Sequence, residues 1–152
     1  MMVLGIDPSL TSLGYAYMAG GQAVVGSITP KKIRGLPRLA YIRDTLEAIV
    51  EDAQPTLVAY EGYAMGRFAG GGRLADLGEL GGVLKLALHE RNIAILLVPP
   101  SSLKLFATGK GNSDKGQVMV AMARHRGRLF SSDDEADAYA LLQMGIAYSD
   151  RR

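Results

Sequence analysis

The sequence predicts an α/β fold in which helices cover both faces of a mixed five-stranded sheet. An apolar strand is followed by two strands that a Gly-Gly turn joins, and helices then alternate with two further apolar strands. A strand meander followed by β-α-β alternation is typical of a mixed sheet between helices. The chain has 152 residues, 48% of them hydrophobic. We therefore expect one domain over residues 1–152.

The first three strands follow from short apolar runs. Val3–Asp7 predicts a buried strand. Residues 14–18 and 22–28 predict a hairpin, because glycines at 20–21 are a two-residue turn signal. Pro30 ends the hairpin.

Helices and strands alternate after the hairpin. Apolar residues at helical spacing predict a helix over 37–53, which Pro55 stops, and a strand over 56–61 follows. Residues 62–72 form a glycine-rich loop. The remaining predictions are a helix over 73–90, a strand over 93–98, a short helical turn at 101–106, a helix over 114–124 and a helix over 132–148. The order βββαβαβα is characteristic of the ribonuclease H-like architecture.

Charge is nearly balanced but unevenly distributed. Lys and Arg number 17 against 15 Asp and Glu, for a net charge of +2. Residues 31–43 hold five bases and no acid, residues 99–128 hold six bases against Asp114 alone, and acids gather at 133–137. Separate basic and acidic zones suit a protein that binds a polyanion and brings a metal to it. An ordinary solvated surface fits the charge pattern equally well.

The composition excludes several classes of protein. Without cysteine, the chain has no disulfide scaffold, cysteine-ligated zinc, iron–sulfur cluster or thiol catalysis. This fits a reducing cytoplasm, which is the location we expect. Asp7 interrupts the first apolar run, which argues against a signal peptide. No apolar run approaches the ~20 residues that span a bilayer, so we expect no membrane partner.

Four carboxylates occupy positions that predict a cluster. Asp7 and Glu61 each end an apolar strand, so they share a sheet edge if the two strands are neighbours. Asp134 and Asp137 lie three residues apart at the start of the last helix, roughly 60° apart on one face. For each of these four acids taken alone, the alternative to a cluster is an acid that simply ends a strand or faces solvent.

The acids beside this pair have structural explanations. Ser132 and Glu135 fit a capping box, and Asp133 gains from the helix dipole. Asp137 lies past the first turn, where capping does not explain it.

A convergent set of carboxylates predicts a metal site. Neighbouring carboxylates without a counter-charge resist ionising together, because their negative charges repel. Hard divalent cations offset this repulsion, since they prefer oxygen ligands. Two metal ions roughly 3.5–4 Å apart activate water and stabilise the leaving oxygen of a phosphodiester. We expect two Mg²⁺ ions, for which Mn²⁺ can substitute. The cluster contains no histidine, which argues against zinc.

Four segments, in order over nearly the whole chain, resemble those of RuvC-type Holliday junction resolvases. They are G-I-D-P-S-L-T-S-L-G-Y at 5–15, V-A-Y-E at 58–61, P-P-S-S-L-K at 99–104 continuing through T-G-K-G-N-S-D-K-G-Q-V at 108–118, and D-E-A-D-A at 134–138. G-I-D-P alone also occurs in sugar kinases and actin-like ATPases, so the joint pattern carries the resemblance.

The resemblance implies a homodimer that places two active sites on a four-way DNA junction and nicks two strands symmetrically. The implied catalytic residues are the metal ligands Asp7, Glu61, Asp134 and Asp137 and the lysines Lys104 and Lys115. A lysine near the scissile phosphate holds phosphate and stabilises developing negative charge. Plain backbone binding or a solvated side chain is the alternative for either lysine.

One position departs from the family pattern. The family usually carries an aromatic residue three positions after the second acid, where this chain has Ala64. Tyr63 and Phe68 are candidate substitutes, because base stacking on aromatics is sequence-tolerant. The residues that we expect to contact DNA are Tyr63, Arg67, Phe68, Arg73, Lys104, Lys110, Lys115, Arg124 and Arg126.

The predicted function is a structure-selective endodeoxyribonuclease that resolves four-way junctions by paired nicks, through metal-dependent phosphodiester hydrolysis. Three alternatives stay open. They are a ribonuclease H-like nuclease on other branched DNA or RNA–DNA hybrids, a junction-binding protein without catalysis, and an actin-like ATPase fragment. The chain lacks the length for two domains of that last kind.

Overall fold

The computed structural model describes residues 1–63 and 71–151 and contains the predicted elements in the predicted order. The strands are β1 (Val3–Asp7), β2 (Leu13–Ala19), β3 (Gln22–Ile28), β4 (Leu57–Glu61) and β5 (Ala94–Val98). The helices are α1 (Gly35–Ala53), α2 (Gly71–Glu90), α3 (Pro100–Thr108), α4 (Lys115–Arg126) and α5 (Asp133–Ser149). The short turn predicted at 101–106 is a nine-residue helix, because Pro100 suits the first turn.

The sheet is mixed, with strand order β3-β2-β1-β4-β5, and confirms the prediction. β2 runs antiparallel to β1 and β3, whereas β4 runs parallel to β1 and β5. Gly20 and Gly21 both have positive φ, 56° and 79°, as a type I′ hairpin turn requires. The parallel pairing of β1 and β4 brings their carboxyl ends to one edge, which is called the catalytic edge below.

The two faces of the sheet carry different cores. Leu4 and Ile6 of β1 pack with the aliphatic side chains of α1 and α2. Val3, on the opposite face, packs with residues of α3, α4 and α5. Successive side chains of a strand point to opposite faces, so Gly5 and Asp7 share the α5 face with Val3.

Small residues on that face let α5 approach closely. A Cβ on Gly5 would lie 2.6 Å from the Leu142 backbone nitrogen, and one on Gly14 would lie 2.6 Å from the Asp134 carbonyl carbon. Neither position has room for a side chain. The two glycines therefore set the height of α5 above the sheet.

Among the described residues, no helix combines the length and the apolar character that crossing a membrane requires.

Candidate active site

Asp7 and Glu61 lie side by side at the catalytic edge. Ile6 pairs with Tyr60 in the parallel β1–β4 ladder, so the next residues of the two strands are neighbours. Asp7 is 8% exposed, and Glu61 is partly buried. The predicted convergence of these two strand-end acids is confirmed by the pairing of β1 with β4.

Helix α5 adds two more carboxylates to the same place. Gly14, the antiparallel partner of Asp7, lies against the backbone of Asp134. Asp137, one turn further on, is 7% exposed. Asp137 borders the same cleft as Glu61, and Asp134 lies beside the pairing partner of Asp7, so α5 brings both of its aspartates to this edge of the sheet.

The N-terminal cap of α5 differs in one detail from the prediction. The Ser132 hydroxyl accepts the amide hydrogen of Glu135, as a capping box requires. The Glu135 carboxylate, however, accepts the amide of Ser131 at 3.0 Å instead of the Ser132 amide. The prediction of a reciprocal capping box is therefore wrong by one residue, since Glu135 reaches past the cap.

Two lysines come to the site on separate helices. Lys104 lies in α3 and Lys115 is the first residue of α4. Asp114 caps α4 in a reciprocal box with Gln117, which holds the position of Lys115. The ammonium of Lys115 lies 3.1 Å from a carboxylate oxygen of Asp133, so an acid of α5 orients it.

These groups border a cleft of about 230 Å³. Glu61 and Asp137 line it together with Lys104, Lys115 and Tyr63. Asp7 directly precedes Pro8, which lines the cleft, and Asp134 lies three residues before Asp137 in α5. Of the six predicted catalytic residues, four therefore line the cleft, and the other two lie within three residues of a lining residue.

Burial and mutual repulsion raise the pKa values of Asp7, Glu61 and Asp137. The pKa of Asp7 lies well above its ordinary value, first because of burial and then because of the charges of Glu61 and Asp137. Burial, followed by the charge of Asp137, raises the pKa of Glu61 to about 7. Burial also raises the pKa of Asp137 to about 6, against the opposing charge of Lys115. Cations are needed for the full set to ionise at neutral pH.

Lys115 and Asp133 stabilise each other's charged forms. Desolvation works to lower the pKa of Lys115, but the hydrogen bond to Asp133 and the charge of Asp137 raise it above the ordinary value. Desolvation likewise opposes ionisation of Asp133, and Lys115 overcomes it, so the pKa of Asp133 is lowered. Lys115 is therefore a fixed positive charge at the rim of the site.

The carboxylates fit a hard cation better than a protein donor. Within residues 1–63 and 71–151, no hydrogen bond or ion pair reaches the side chains of Asp7, Glu61 or Asp137. In the same ranges, no three acidic or histidine side chains already stand in a geometry that holds a metal ion. Mg²⁺ is suited to such a site, because it keeps several waters and substrate phosphates besides one or two carboxylates.

Tyr63 is anchored in the cleft wall. Its hydroxyl donates to the carbonyl oxygen of Leu77 in α2, and the ammonium of Lys85 lies 5.8 Å from its ring centroid. Its use as a stacking surface for a base stays a prediction. The other aromatic candidate, Phe68, and the base Arg67 lie outside the described residues, as does the side chain of Arg73.

The remaining predicted DNA contacts lie in two other places. Lys110 and Arg124 are both exposed and line a second hollow beside the α3–α4 loop. Arg126 lies elsewhere: its guanidinium is 4.9 Å from the Phe130 ring centroid and reaches the Ala23 carbonyl oxygen at 3.4 Å. Ala23 belongs to the end of the hairpin remote from the catalytic edge. DNA contact by these residues stays a prediction.

Two contributions to the site were missed by sequence reasoning. Asp133 holds Lys115, but only the packing of α4 beside α5 reveals this pair. Gly5 and Gly14 set the position of α5. Each glycine lies in a predicted strand among larger residues, which is a signal for close approach of another backbone and was available in the sequence.

Comparisons with known proteins agree with this geometry. Residues 3–146 match the family model described as crossover junction endodeoxyribonuclease RuvC. The chain is 32% identical over 157 aligned residues to that enzyme from Rhodococcus opacus (strain B4), covering 97% of this chain and 80% of the relative. It is 31% identical to the enzyme from Rickettsia conorii (strain ATCC VR-613 / Malish 7), covering 93% and 94%.

A solved structure shares the fold. Thermus thermophilus RuvC in complex with Holliday junction substrate superimposes with a TM-score of 0.82 at 21% identity, over 99% of this chain and 96% of that one. The ribonuclease H-like architecture expected from the order of elements is confirmed. Because the family model covers nearly the whole chain and the relatives exceed 30% identity, the chain belongs to the crossover junction endodeoxyribonuclease RuvC family.

Proposed function

We propose that this chain is an endodeoxyribonuclease that resolves four-way DNA junctions by paired symmetric nicks, and that residues 1–152 act as one nuclease domain. The observation that carries the proposal is the meeting of four carboxylates and two lysines at one sheet edge in a member of the RuvC family. The relative from T. thermophilus was solved with a Holliday junction substrate, which supports branched DNA as the ligand.

The four acids would hold divalent metal, with Mg²⁺ as the proposed ion and two ions per site. Bound there, the metal would supply an activated water and a counter-charge for the leaving oxygen. Asp7 and Glu61 present their carboxylates from rigid strands, and Asp134 and Asp137 present theirs from one helix. The raised pKa values mean that cation binding displaces protons from these groups, so binding strengthens as pH rises.

The two lysines would act on the phosphate. Lys104 and Lys115 lie on separate helices of the cleft wall, so a DNA backbone in the cleft passes close to two positive charges. A fixed ammonium stabilises negative charge that develops on the phosphate oxygens. Asp133 would hold Lys115 in position without touching the substrate.

Two nicks need two active sites. The described part of one chain presents a single set of clustered acids, so we propose a homodimer in which each copy cuts one strand. Symmetry then explains the paired nicks, because a two-fold axis relates both the sites and opposite strands of the junction.

The test is cleavage of a synthetic mobile four-way junction in Mg²⁺, beside a linear duplex and an RNA–DNA hybrid. Wild type is expected to nick the junction symmetrically and to spare the other two substrates. Asp7→Asn is expected to bind the junction but to cut at least about 1,000-fold more slowly, since it removes a metal ligand. Asp44→Asn is the matched control, because that exposed acid lies on α1 and, within the described ranges, forms an ion pair with Arg43 alone.

Each of the other possible outcomes would indicate a different function for this chain. Preferential cutting of the hybrid would indicate a ribonuclease H-like activity. Binding without cutting by wild type would indicate a junction-binding protein. Unchanged cutting by Asp7→Asn would refute the assigned active site.

A further inference from the structure

A basic hollow of about 280 Å³ lies between the β1–β2 loop and the start of α1. Leu10 and Thr11 border it on the β1–β2 side. Its positively charged lining residues are Lys31, Lys32, Arg34 and Arg38. We call this cavity, with its four basic residues, the basic hollow.

The positive charge of the basic hollow is uncompensated. Among the described residues, none of its four cations forms an ion pair. The Nε atom of Arg38 is buried and has no hydrogen-bond partner in the described part of the chain. Buried donors are normally paired, so this guanidinium retains an unused donor beside the hollow.

The backbone beside the hollow reinforces the charge. Arg34 is the N-cap of α1 and makes no side-chain cap, and the first turn of α1 contains no acid. The free amide groups of this turn and the positive end of the helix dipole therefore add to the four cations. Lys32 has a positive φ of 62°, which turns the chain tightly ahead of the helix.

The hollow and the active site share one sheet edge. β3 ends at Ile28, which pairs with Leu13 of β2. The next residue of β2, Gly14, pairs with Asp7 of β1. Within the short loop after β1, Pro8 lines the catalytic cleft, while Thr11 lines the basic hollow. Two strand spacings of about 4.8 Å put the end of β3 roughly 10 Å from Asp7. At 3.4 Å per base pair, that is roughly three base pairs of DNA.

We propose that the basic hollow binds backbone phosphates of the DNA arm that leads to the cut, a few nucleotides from the scissile phosphate. The inference rests on the proposed function and adds a second anchoring point to it. The hollow's lining contains four cations and neither an acid nor an aromatic ring, so it suits phosphate and offers no ring on which a base could stack. Contacts to backbone phosphates carry no sequence information, so we expect the contribution of the hollow to be the same for junctions of different sequence.

The test compares two triple variants with the same charge change. The site variant is Lys31→Gln/Lys32→Gln/Arg34→Gln. The control variant is Arg43→Gln/Arg91→Gln/Arg128→Gln, whose side chains lie outside the hollow. Junction affinity is measured by fluorescence anisotropy in EDTA at several salt concentrations, with two junctions of unrelated sequence. Thermal melts show that both variants fold.

The site variant is expected to bind both junctions at least about tenfold more weakly than wild type near 0.1 M salt. The slope of log K against log salt is expected to fall by about 2.7, which is 0.9 for each lost phosphate contact. The control variant is expected to lose less than about threefold, through long-range attraction alone.

Equal losses in the site and control variants would overturn the inference while leaving the proposed function intact, because wild type would still bind and cut junctions. A loss confined to one of the two junction sequences would also overturn it. Failure of wild type to bind any DNA would overturn both the inference and the proposed function.

Discussion

The two faces of the central sheet do different work. Against α1 and α2, β1 presents Leu4 and Ile6, both fully buried in an ordinary aliphatic core. Against α5, the same strand presents Gly5 and Asp7, and the helix backbone approaches too closely for any side chain at position 5. One face stabilises the fold through buried apolar side chains, whereas the other fixes the height of the helix that carries Asp134 and Asp137, two of the proposed metal ligands.

Destabilising each face separately tests whether the two faces have these different roles. Gly5→Ala puts a methyl group 2.6 Å from the Leu142 backbone nitrogen, so α5 must move. We expect a loss of about 3 kcal/mol in the free energy of unfolding. We also expect roughly 100-fold slower junction cleavage, because a displacement near 1 Å at catalytic groups has that effect. Urea unfolding and single-turnover cleavage measure the two effects.

Leu84→Ala is the matched variant on the other face. Leu84 is fully buried in the core that packs against α1 and α2, and it is not among the residues that line the cleft. We expect a similar stability loss of about 3 kcal/mol, with cleavage within about threefold of wild type at a temperature where the variant is folded. Equal cleavage losses in the two variants would show that the faces are not specialised.

A milder change on the α5 face concerns the orientation of Lys115. Asp133→Asn removes its ion-pair partner and is expected to lower kcat about tenfold. Stability is expected to change by less than about 1 kcal/mol, because the pair is exposed. Asp133→Glu should recover most of the loss. Glu135→Gln, in the same turn but without contact to Lys115, is the control, and an equal effect there would remove the positioning role from Asp133.

The acids of the α5 face also predict how stability depends on pH. The pKa of Asp7 is raised well above its ordinary value, that of Glu61 to about 7 and that of Asp137 to about 6. Between roughly pH 4 and pH 7 the folded protein therefore binds more protons than the unfolded chain, and these groups destabilise the metal-free fold as pH rises.

Asp7→Asn isolates this effect from other titrations. In EDTA at pH 8 we expect its Tm to exceed that of wild type by several degrees, because one of the mutually repelling charges is gone. At pH 5 the difference should shrink, since wild type is then largely protonated at the site. Melts across this range measure it, and a Tm difference independent of pH would contradict charge repulsion among the four acids as its cause.

The smallest expected effect is at the cap of α5. Ser132→Ala removes the hydroxyl that accepts the Glu135 amide and should lower stability by about 1 kcal/mol. Cleavage should fall by less than about threefold, because the glycine contacts still hold the helix. A loss of cleavage as large as that of Gly5→Ala would mean that the cap, and not the sheet contact, positions the acids.

Local patterns were enough to predict the elements and the acidic half of the site. Asp7 and Glu61 end apolar strands, and the spacing of Asp134 and Asp137 is a helical one, so each carboxylate's position follows from its own segment. The ion pair of Lys115 with Asp133 joins two helices and has no local signature. The packing of Arg126 on the Phe130 ring likewise has no local signature, since the sequence places Arg126 only in a basic segment.

The shift in Tm that about 10 mM Mg²⁺ produces at pH 8 decides whether the converging acids hold a metal ion. A cation held by the four converging acids stabilises the folded state alone, so wild type is expected to gain several degrees. Asp7→Asn and Glu61→Gln are expected to gain little, while Asp44→Asn should gain as much as wild type. An equal gain in all four proteins would contradict a metal site at the catalytic edge.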